Sequence, residues 1–166
     1  DTIIGPEQKA YTDQKNIGSV ICNITKMMHK TISKKESNII MLINFKKAFD
    51  SLSHAFIFST LKTLGFGPDI IKYIKLFLTQ REARILAGGH LTDTIHLQQG
   101  VPQGDIISPY IFLLMVEVLL IKITKTKNIT GVTYALRDAR AEAFADDTTL
   151  FMKRCPKNLR YATKYI

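Results

Sequence analysis

Two adjacent aspartates, Asp146 and Asp147, sit at the centre of an apolar and β-branched run, Ala143-Phe144-Ala145-Asp146-Asp147-Thr148-Thr149-Leu150-Phe151. The flanks read as strands and the Asp pair as the tip of a hairpin. Two carboxylates crowded onto a tight turn repel each other, which is costly unless a cation neutralises them. A hard divalent ion such as Mg²⁺ takes oxygen ligands, few of them from protein, and keeps places for phosphate oxygens. The chemistry such a pair can do is metal-dependent phosphoryl transfer. The competing reading is an Asp-Asp turn that simply faces solvent.

Two further segments bear on that choice. Gln99-Gly100-Val101-Pro102-Gln103-Gly104-Asp105-Ile106-Ile107-Ser108-Pro109 is a glycine-punctuated loop that runs into an apolar stretch, residues 110–121. Gly100 and Gly104 allow close backbone approach to a ligand, and Pro109 suits the first turn of a helix. An ordinary strand-to-helix connection would share the Pro and Gly. The Gln between them, followed by Asp and Ser-Pro, is more specific. Residues 38–45 (Asn-Ile-Ile-Met-Leu-Ile-Asn-Phe) form a nearly continuous apolar run of strand length, leading into Lys46-Lys47-Ala48-Phe49-Asp50-Ser51.

In this order the three segments resemble the palm of a reverse transcriptase, and most nearly that of non-LTR (LINE-type) retrotransposons of the L1/Tx1-like branch. There a strand ends in Asp-Phe-x-Lys-Ala-Phe-Asp-Ser, and a Gly-Val-x-Gln-Gly-Asp-x-x-Ser-Pro loop and a Phe/Tyr-Ala-Asp-Asp hairpin follow. The likeness extends over nearly the whole chain. Glu7-Gln8-Lys9-Ala10-Tyr11 and Ile17-Gly18 resemble the fingers segment, and Leu64-Gly65-Phe66-Gly67 and residues 70–75 the linking helices.

The resemblance implies a right-hand polymerase fold of fingers and palm without a thumb, α+β, with an antiparallel sheet packed on helices. It divides the chain into a fingers-like part at about 1–37, a palm-like part with inserted helices at about 38–152, and a truncated end at 153–166. It implies RNA-directed DNA polymerisation with Mg²⁺ or Mn²⁺, an RNA template, a DNA primer and dNTPs. Asp146 and Asp147 fall on the metal-binding and catalytic positions, together with Asn44 where the family carries its first catalytic aspartate. Phe45, Phe49, Gln103, Gly104 and Lys15 fall on nucleotide-binding positions. Of these, Phe49 matches the ring that blocks a ribose 2′-hydroxyl, and core packing is its ordinary role. Lys46, Lys47, Arg81 and Arg84 are the candidate nucleic-acid contacts. An intracellular setting in nucleus and cytoplasm, within a retrotransposon ribonucleoprotein, is the corresponding expectation; nothing in the sequence speaks to oligomeric state.

Asn44 is the departure with consequences. Two-metal chemistry uses one ion to activate the primer 3′-hydroxyl and another to steady the leaving pyrophosphate. Asparagine offers a carbonyl oxygen but no negative charge, which predicts impaired catalysis. Lys15 and Gln99 stand where that branch carries Arg, and lysine lacks the bidentate fork. The second reading is therefore a catalytically inactive remnant acting at most as a nucleic-acid-binding module. A third is another palm polymerase: a group II intron maturase, against which Asp105 and the Thr148-Thr149-Leu150-Phe151 tail weigh, or an RNA-dependent RNA polymerase, against which Phe49 and the Phe-Ala-Asp-Asp motif weigh.

Composition agrees with a nucleic-acid partner. The chain has 166 residues, 46% of them hydrophobic, and 23 Lys+Arg against 14 Asp+Glu give a formal charge of +9. That suits one folded domain with a polyanionic partner. The lysines are spread along the chain rather than blocked into a membrane anchor. Cys22 and Cys155 have no Cys or His at metal-ligand spacing, which argues against a zinc module or disulfide framework. The apolar stretch after Ile106 contains Pro109, Glu117 and Lys122 and reads as a core helix rather than a membrane span.

The remaining elements follow from periodicity. Ile17, Val20, Ile21, Ile24, Met27, Met28 and Thr31 predict an amphipathic helix over residues 14–33. Ser53 and Gly65 bracket a helix over residues 53–64, and Pro68 opens another to about Leu78. Residues 83–86 and 94–97 read as strands joined through Gly88-Gly89, and Val132-Thr133-Tyr134 as a short strand.

Overall fold

The computed structural model describes residues 3–11, 16–134 and 137–165. In chain order its elements are α1 (Ile17–Ser33), β1 (Asn38–Ile43), α2 (His54–Thr63), α3 (Pro68–Thr79), β2 (Glu82–Ala83), β3 (Leu86–Ala87), β4 (His90–Leu91) and β5 (Ile95–His96). There follow α4 (Ile107–Lys125), β6 (Val132–Tyr134), β7 (Arg137–Ala139), β8 (Ala141–Phe144), β9 (Asp147–Lys153) and α5 (Pro156–Tyr165). The class is α+β with antiparallel pairing between the strands. Contacts gather into two compact units: one holds the chain up to Phe45 and from Met115 onward, the other is Lys46–Leu114. The expected segments at 1–37, 38–152 and 153–166 divide the chain by resemblance; the units divide it by contact.

The first unit is built on a three-stranded sheet in the order β1-β9-β8. The middle strand, β9, has Thr148, Thr149, Leu150, Phe151 and Met152 all buried in succession. A one-residue slip of register would move each side chain to the opposite face. Fully buried Phe151 clusters with Met27 of α1 and Val132 of β6, and Ile24, Tyr134 and Ala139 pack around them.

Helix α1 starts at Ile17, where Asn16 caps it: the Asn16 Oδ1 accepts from the Ser19 amide at 3.0 Å; residues 14 and 15 of the expected helix lie outside the described residues. Of the apolar stripe expected to face the core, Val20 and Met27 are buried, while Ile17, Ile21 and Met28 are exposed. The stripe is wider than the line along which the helix meets the sheet. Strand β1 ends at Ile43, two residues before the expected limit at 45. The supposed chain end at 153–166 contains a helix, α5. Pro156 opens it, and the buried amide of Asn158 docks it. That amide accepts from Thr130 N at 3.1 Å and donates to Lys153 O at 2.8 Å and Thr130 O at 3.2 Å.

In the second unit, α2 ends in a Schellman motif. Gly65 takes φ +82°, its N–H bonds Lys62 O at 3.0 Å, and Phe66 N–H bonds Leu61 O at 3.0 Å. The two strands expected around Gly88-Gly89 form an interrupted hairpin of four short strands, β2 with β5 and β3 with β4. Helix α4 begins in this unit and continues into the first. It is longer than expected at both ends, and it is long and apolar enough to cross a membrane. Ile111, Phe112, Leu113, Met115, Val116, Leu120 and Ile123 are nonetheless buried in the fold.

Candidate active site

Two strand ends meet at one edge of the sheet. The β1–β9 register runs from Asn38 opposite Lys153 to Ile43 opposite Thr148. Asn44 is the residue after Ile43 and Asp147 the residue before Thr148, so the same register brings Asn44 level with Asp147. On the other side of β9, Asp147 pairs with Phe144. This corrects the expected hairpin tip: the two turn residues are Ala145 and Asp146, and Asp147 already belongs to the strand. Asp146 is half-buried; Asp147 and Asn44 are exposed. The set consists of two carboxylates and one amide. Among the described residues no three His, Cys, Asp or Glu side chains gather to hold a metal ion.

The turn carries backbone strain. Ala145 has φ +56°, a left-handed conformation that costs a non-glycine residue roughly 1–2 kcal/mol. A buried side chain distant in sequence imposes it. Gln8, fully buried, accepts at Oε1 from Ala145 N at 3.1 Å and donates from Nε2 to Ala145 O at 3.3 Å. The same Oε1 accepts from Lys9 N and Ala10 N, each at 3.0 Å. Backbone bonds complete the clamp, Ala143 N to Glu7 O at 3.0 Å and Lys9 N to Ala143 O at 2.9 Å. In the sequence, Gln8 falls in the fingers-like segment and has no expected role. A lone Gln in a polar stretch carries no local signal of a long-range clamp. Beside it, Asn23 donates to Glu142 Oε1 at 2.7 Å, tying α1 to β8. Burial pushes the Glu142 carboxyl above its ordinary range, and the Asn23 bond and Lys9 oppose the shift.

The glycine-rich loop belongs to the second unit, knitted onto the segment after β1. Gly100 N bonds Leu52 O at 2.8 Å, Val101 N bonds Phe49 O at 2.9 Å, and a ring nitrogen of His54 lies 2.9 Å from Gly100 O. The close approach that Gly100 allows is to the chain itself rather than to a ligand: a Cβ there would stand 2.9 Å from Asp50 O. Gly104, at φ +90°, has open space around it. The exposed Gln103 donates to Asp50 Oδ1 at 3.1 Å. Phe49 is half-buried and stacked on Phe112, ring centroids 4.9 Å apart at 20°, so it packs as a core residue does. The Asp105 carboxylate caps the start of α4, accepting from Ile107 N at 2.7 Å, Ser108 N at 2.8 Å and Ser108 Oγ at 2.5 Å. Partial burial raises its pKa, but those bonds and the nearby charge of Arg81 outweigh it, and the carboxyl lies below its ordinary value.

The candidate nucleic-acid contacts lie mostly at the surface. Lys46, Lys47 and Arg84 are exposed and Arg81 is half-buried. Lys47 has φ +51°, and Arg84 Nε donates to Thr94 Oγ1 at 2.9 Å. Phe45 is half-buried at the end of the first unit. Lys15 lies outside the described residues.

An antiparallel sheet with paired aspartates at a hairpin and a strand end beside them defines the palm of a right-hand polymerase. Apo telomerase from Candida tropicalis, truncated of its C-terminal domain, shares the fold with a TM-score of 0.66 over 96% of this chain and 32% of that one, at 13% identity. The chain belongs to the reverse transcriptase (RNA-dependent DNA polymerase) family, whose model matches residues 2–165. The chain is similar to a Retrovirus-related Pol polyprotein from the type-1 retrotransposable element R2 of Popillia japonica, 32% identical over 148 residues. It is also similar to the Transposon TX1 uncharacterized 149 kDa protein of Xenopus laevis, 27% identical over 150 residues. These matches cover 87% and 89% of this chain but 20% and 11% of the relatives, so the chain spans a fifth of their length or less. Members of this family use divalent metal ions.

Proposed function

We propose that this chain is the nucleotidyl-transfer region of a retrotransposon reverse transcriptase, working within an intracellular ribonucleoprotein on an RNA template, a DNA primer and dNTPs. The observation that supports it best is the register that sets Asn44 level with Asp147 at the Asp146 turn. Asp146 and Asp147 would hold Mg²⁺ or Mn²⁺ through carboxylate oxygens, with Asn44 adding its amide oxygen; the donor set is all oxygen, as these ions require. When bound, such ions activate the primer 3′-hydroxyl and stabilise charge on the leaving pyrophosphate. The chain's own part is positional. The Gln8 clamp fixes the turn that presents Asp146; within the second unit, Phe49 is stacked on Phe112 and the Gln103 amide bonds Asp50, and these two side chains are the ones proposed to meet a nucleotide.

Asn44 favours a second reading, a chain that binds nucleic acid and turns over slowly or not at all. Losing one preorganised charged group costs roughly 3–4 kcal/mol of transition-state stabilisation, or two to three decades in rate. The test is primer extension on an RNA template with Mg²⁺ and with Mn²⁺. Asn44→Asp is expected to raise incorporation by roughly a hundredfold or more, and Asp146→Asn to abolish it in either background. Equal activity with Asn and Asp at position 44 would remove that residue from the metal site.

A further inference from the structure

The catalytic carboxylates occupy one end of β9. The other end opens onto a surface of opposite character. Residues 118–134 and 148–165 contain no Asp or Glu, and contacts within the first unit join the two segments. Tyr165 at the end of α5 reaches the end of α4, with Lys122 Nζ 5.1 Å from its ring centroid and Thr126 Oγ1 3.4 Å from its hydroxyl. The Asn158 amide pins the start of α5 to Thr130 and Lys153. The nearby carboxylate of Asp138 is matched by Arg140 at 2.7 Å.

The surface so formed carries Lys122, Lys125, Arg154, Lys157, Arg160 and Lys164, all exposed. Lys157, Arg160 and Lys164 stand at i, i+3 and i+7, on one face of α5 over about 10 Å of helix. Strand β9 is seven residues long, so this surface lies about 20 Å along the sheet from Asp147.

We propose that the α5 face and the end of α4 form a second nucleic-acid surface that grips the phosphodiester backbone of RNA away from the active site. Charge complementarity identifies the occupant. Six cations without an intervening acid suit a polyanion, and a row of cations along a helix face matches a phosphate backbone, so recognition is of backbone and shape. A membrane surface fits less well, because a helix lying on lipid needs a broad apolar face. Among the large apolar residues of α5, Leu159 is the one exposed, and the opposite side, with Ala162 and Asn158, is buried in the fold. The inference rests on the nucleic-acid binding proposed above and adds a site to it.

The experiment measures anisotropy of a labelled RNA duplex of about 20 base pairs between about 50 and 200 mM salt. It compares the wild-type chain, the triple variant Lys157→Glu/Arg160→Glu/Lys164→Glu, and a matched reversal in the other unit, Lys62→Glu/Lys72→Glu/Lys75→Glu. The α5 variant is expected to bind at least about tenfold more weakly and to lose about three from the magnitude of the salt slope, with the matched reversal costing under about threefold. Far-UV circular dichroism checks the fold, and the corresponding Gln triple gives a smaller loss in the same direction if the Glu triple is unfolded. Equal losses from both triples, or none from α5, would overturn the proposal; so would α5 reversals that release anionic vesicles but not RNA. If α5 reversals leave duplex binding intact while a primer-template still binds, this inference alone fails. If the wild-type chain binds no nucleic acid, the proposed function loses its binding half as well.

Discussion

The β8–β9 turn and the β3–β4 turn are both two-residue reversals, and they are held in opposite ways. At β3–β4 the turn residues are Gly88 and Gly89, at φ +58° and +85°, with open space where a Cβ would go. That is the pairing of sequence and geometry that tight hairpins favour. The flanking residues Leu86, Ala87, His90 and Leu91 are all exposed. At β8–β9 the turn residues are Ala145 and Asp146, neither a glycine, and Ala145 bears a positive φ. Here the conformation is imposed from outside by the buried Gln8 amide and by a neighbouring strand buried along most of its length. The glycine turn needs only itself; the aspartate turn needs the rest of its unit. Strain of this kind persists where the surroundings over-determine it, and functional sites are where it gathers.

The contrast can be broken most severely at Gln8. Gln8→Ala takes their side-chain partner from Ala145 N and O and from the amide of Ala10, while Lys9 N keeps its bond to Ala143 O. At about 1–3 kcal/mol for each unsatisfied buried group, partly relieved by local rearrangement, the expected loss is about 3 kcal/mol. Chemical denaturation measures it, and amide exchange at Ala145 should accelerate along with it. Exchange of that amide at the wild-type rate would mean that the clamp does not hold the turn.

A smaller and opposite pair of effects sharpens the same comparison. Ala145→Gly removes the left-handed penalty at the cost of some unfolded-state entropy, for a net gain of about 0.5–1 kcal/mol. Gly89→Ala introduces that penalty into a turn with nothing to offset it, for a loss of about 1–2 kcal/mol. Thermal unfolding of the two variants should therefore move in opposite directions. Both moving the same way would show that the two turns are not held differently.

Legibility in the sequence follows the same division. Features encoded locally could be read directly: the Gly88-Gly89 turn, the Gly65 stop and the Pro68 start. The strand pairing around the aspartates was legible because apolar runs and paired acids imply it together. The offset of the tip by one residue was not, since it is fixed by Gln8, more than a hundred positions away in the chain. Helix α5 was missed because its sequence is dominated by charged and polar side chains. Its docking rests on the buried Asn158 amide, the small Ala162 and Tyr165 at the end of α4 rather than on a stripe of large apolar residues. The exposed apolar residues of α1 misled in the other direction, since periodicity reports which residues could be buried and not how much of the stripe a neighbour covers.

The central claim is that Asn44 stands with Asp146 and Asp147 as an oxygen-ligand set short of one charge. Titration of Mn²⁺ against the chain, followed by electron paramagnetic resonance of the free ion, tests it without requiring turnover. Asn44→Asp should tighten Mn²⁺ binding at least about tenfold, some 1.4 kcal/mol, and the gain should vanish when Asp146→Ala is added. An unchanged affinity in Asn44→Asp, or a gain that survives the loss of Asp146, would contradict the account.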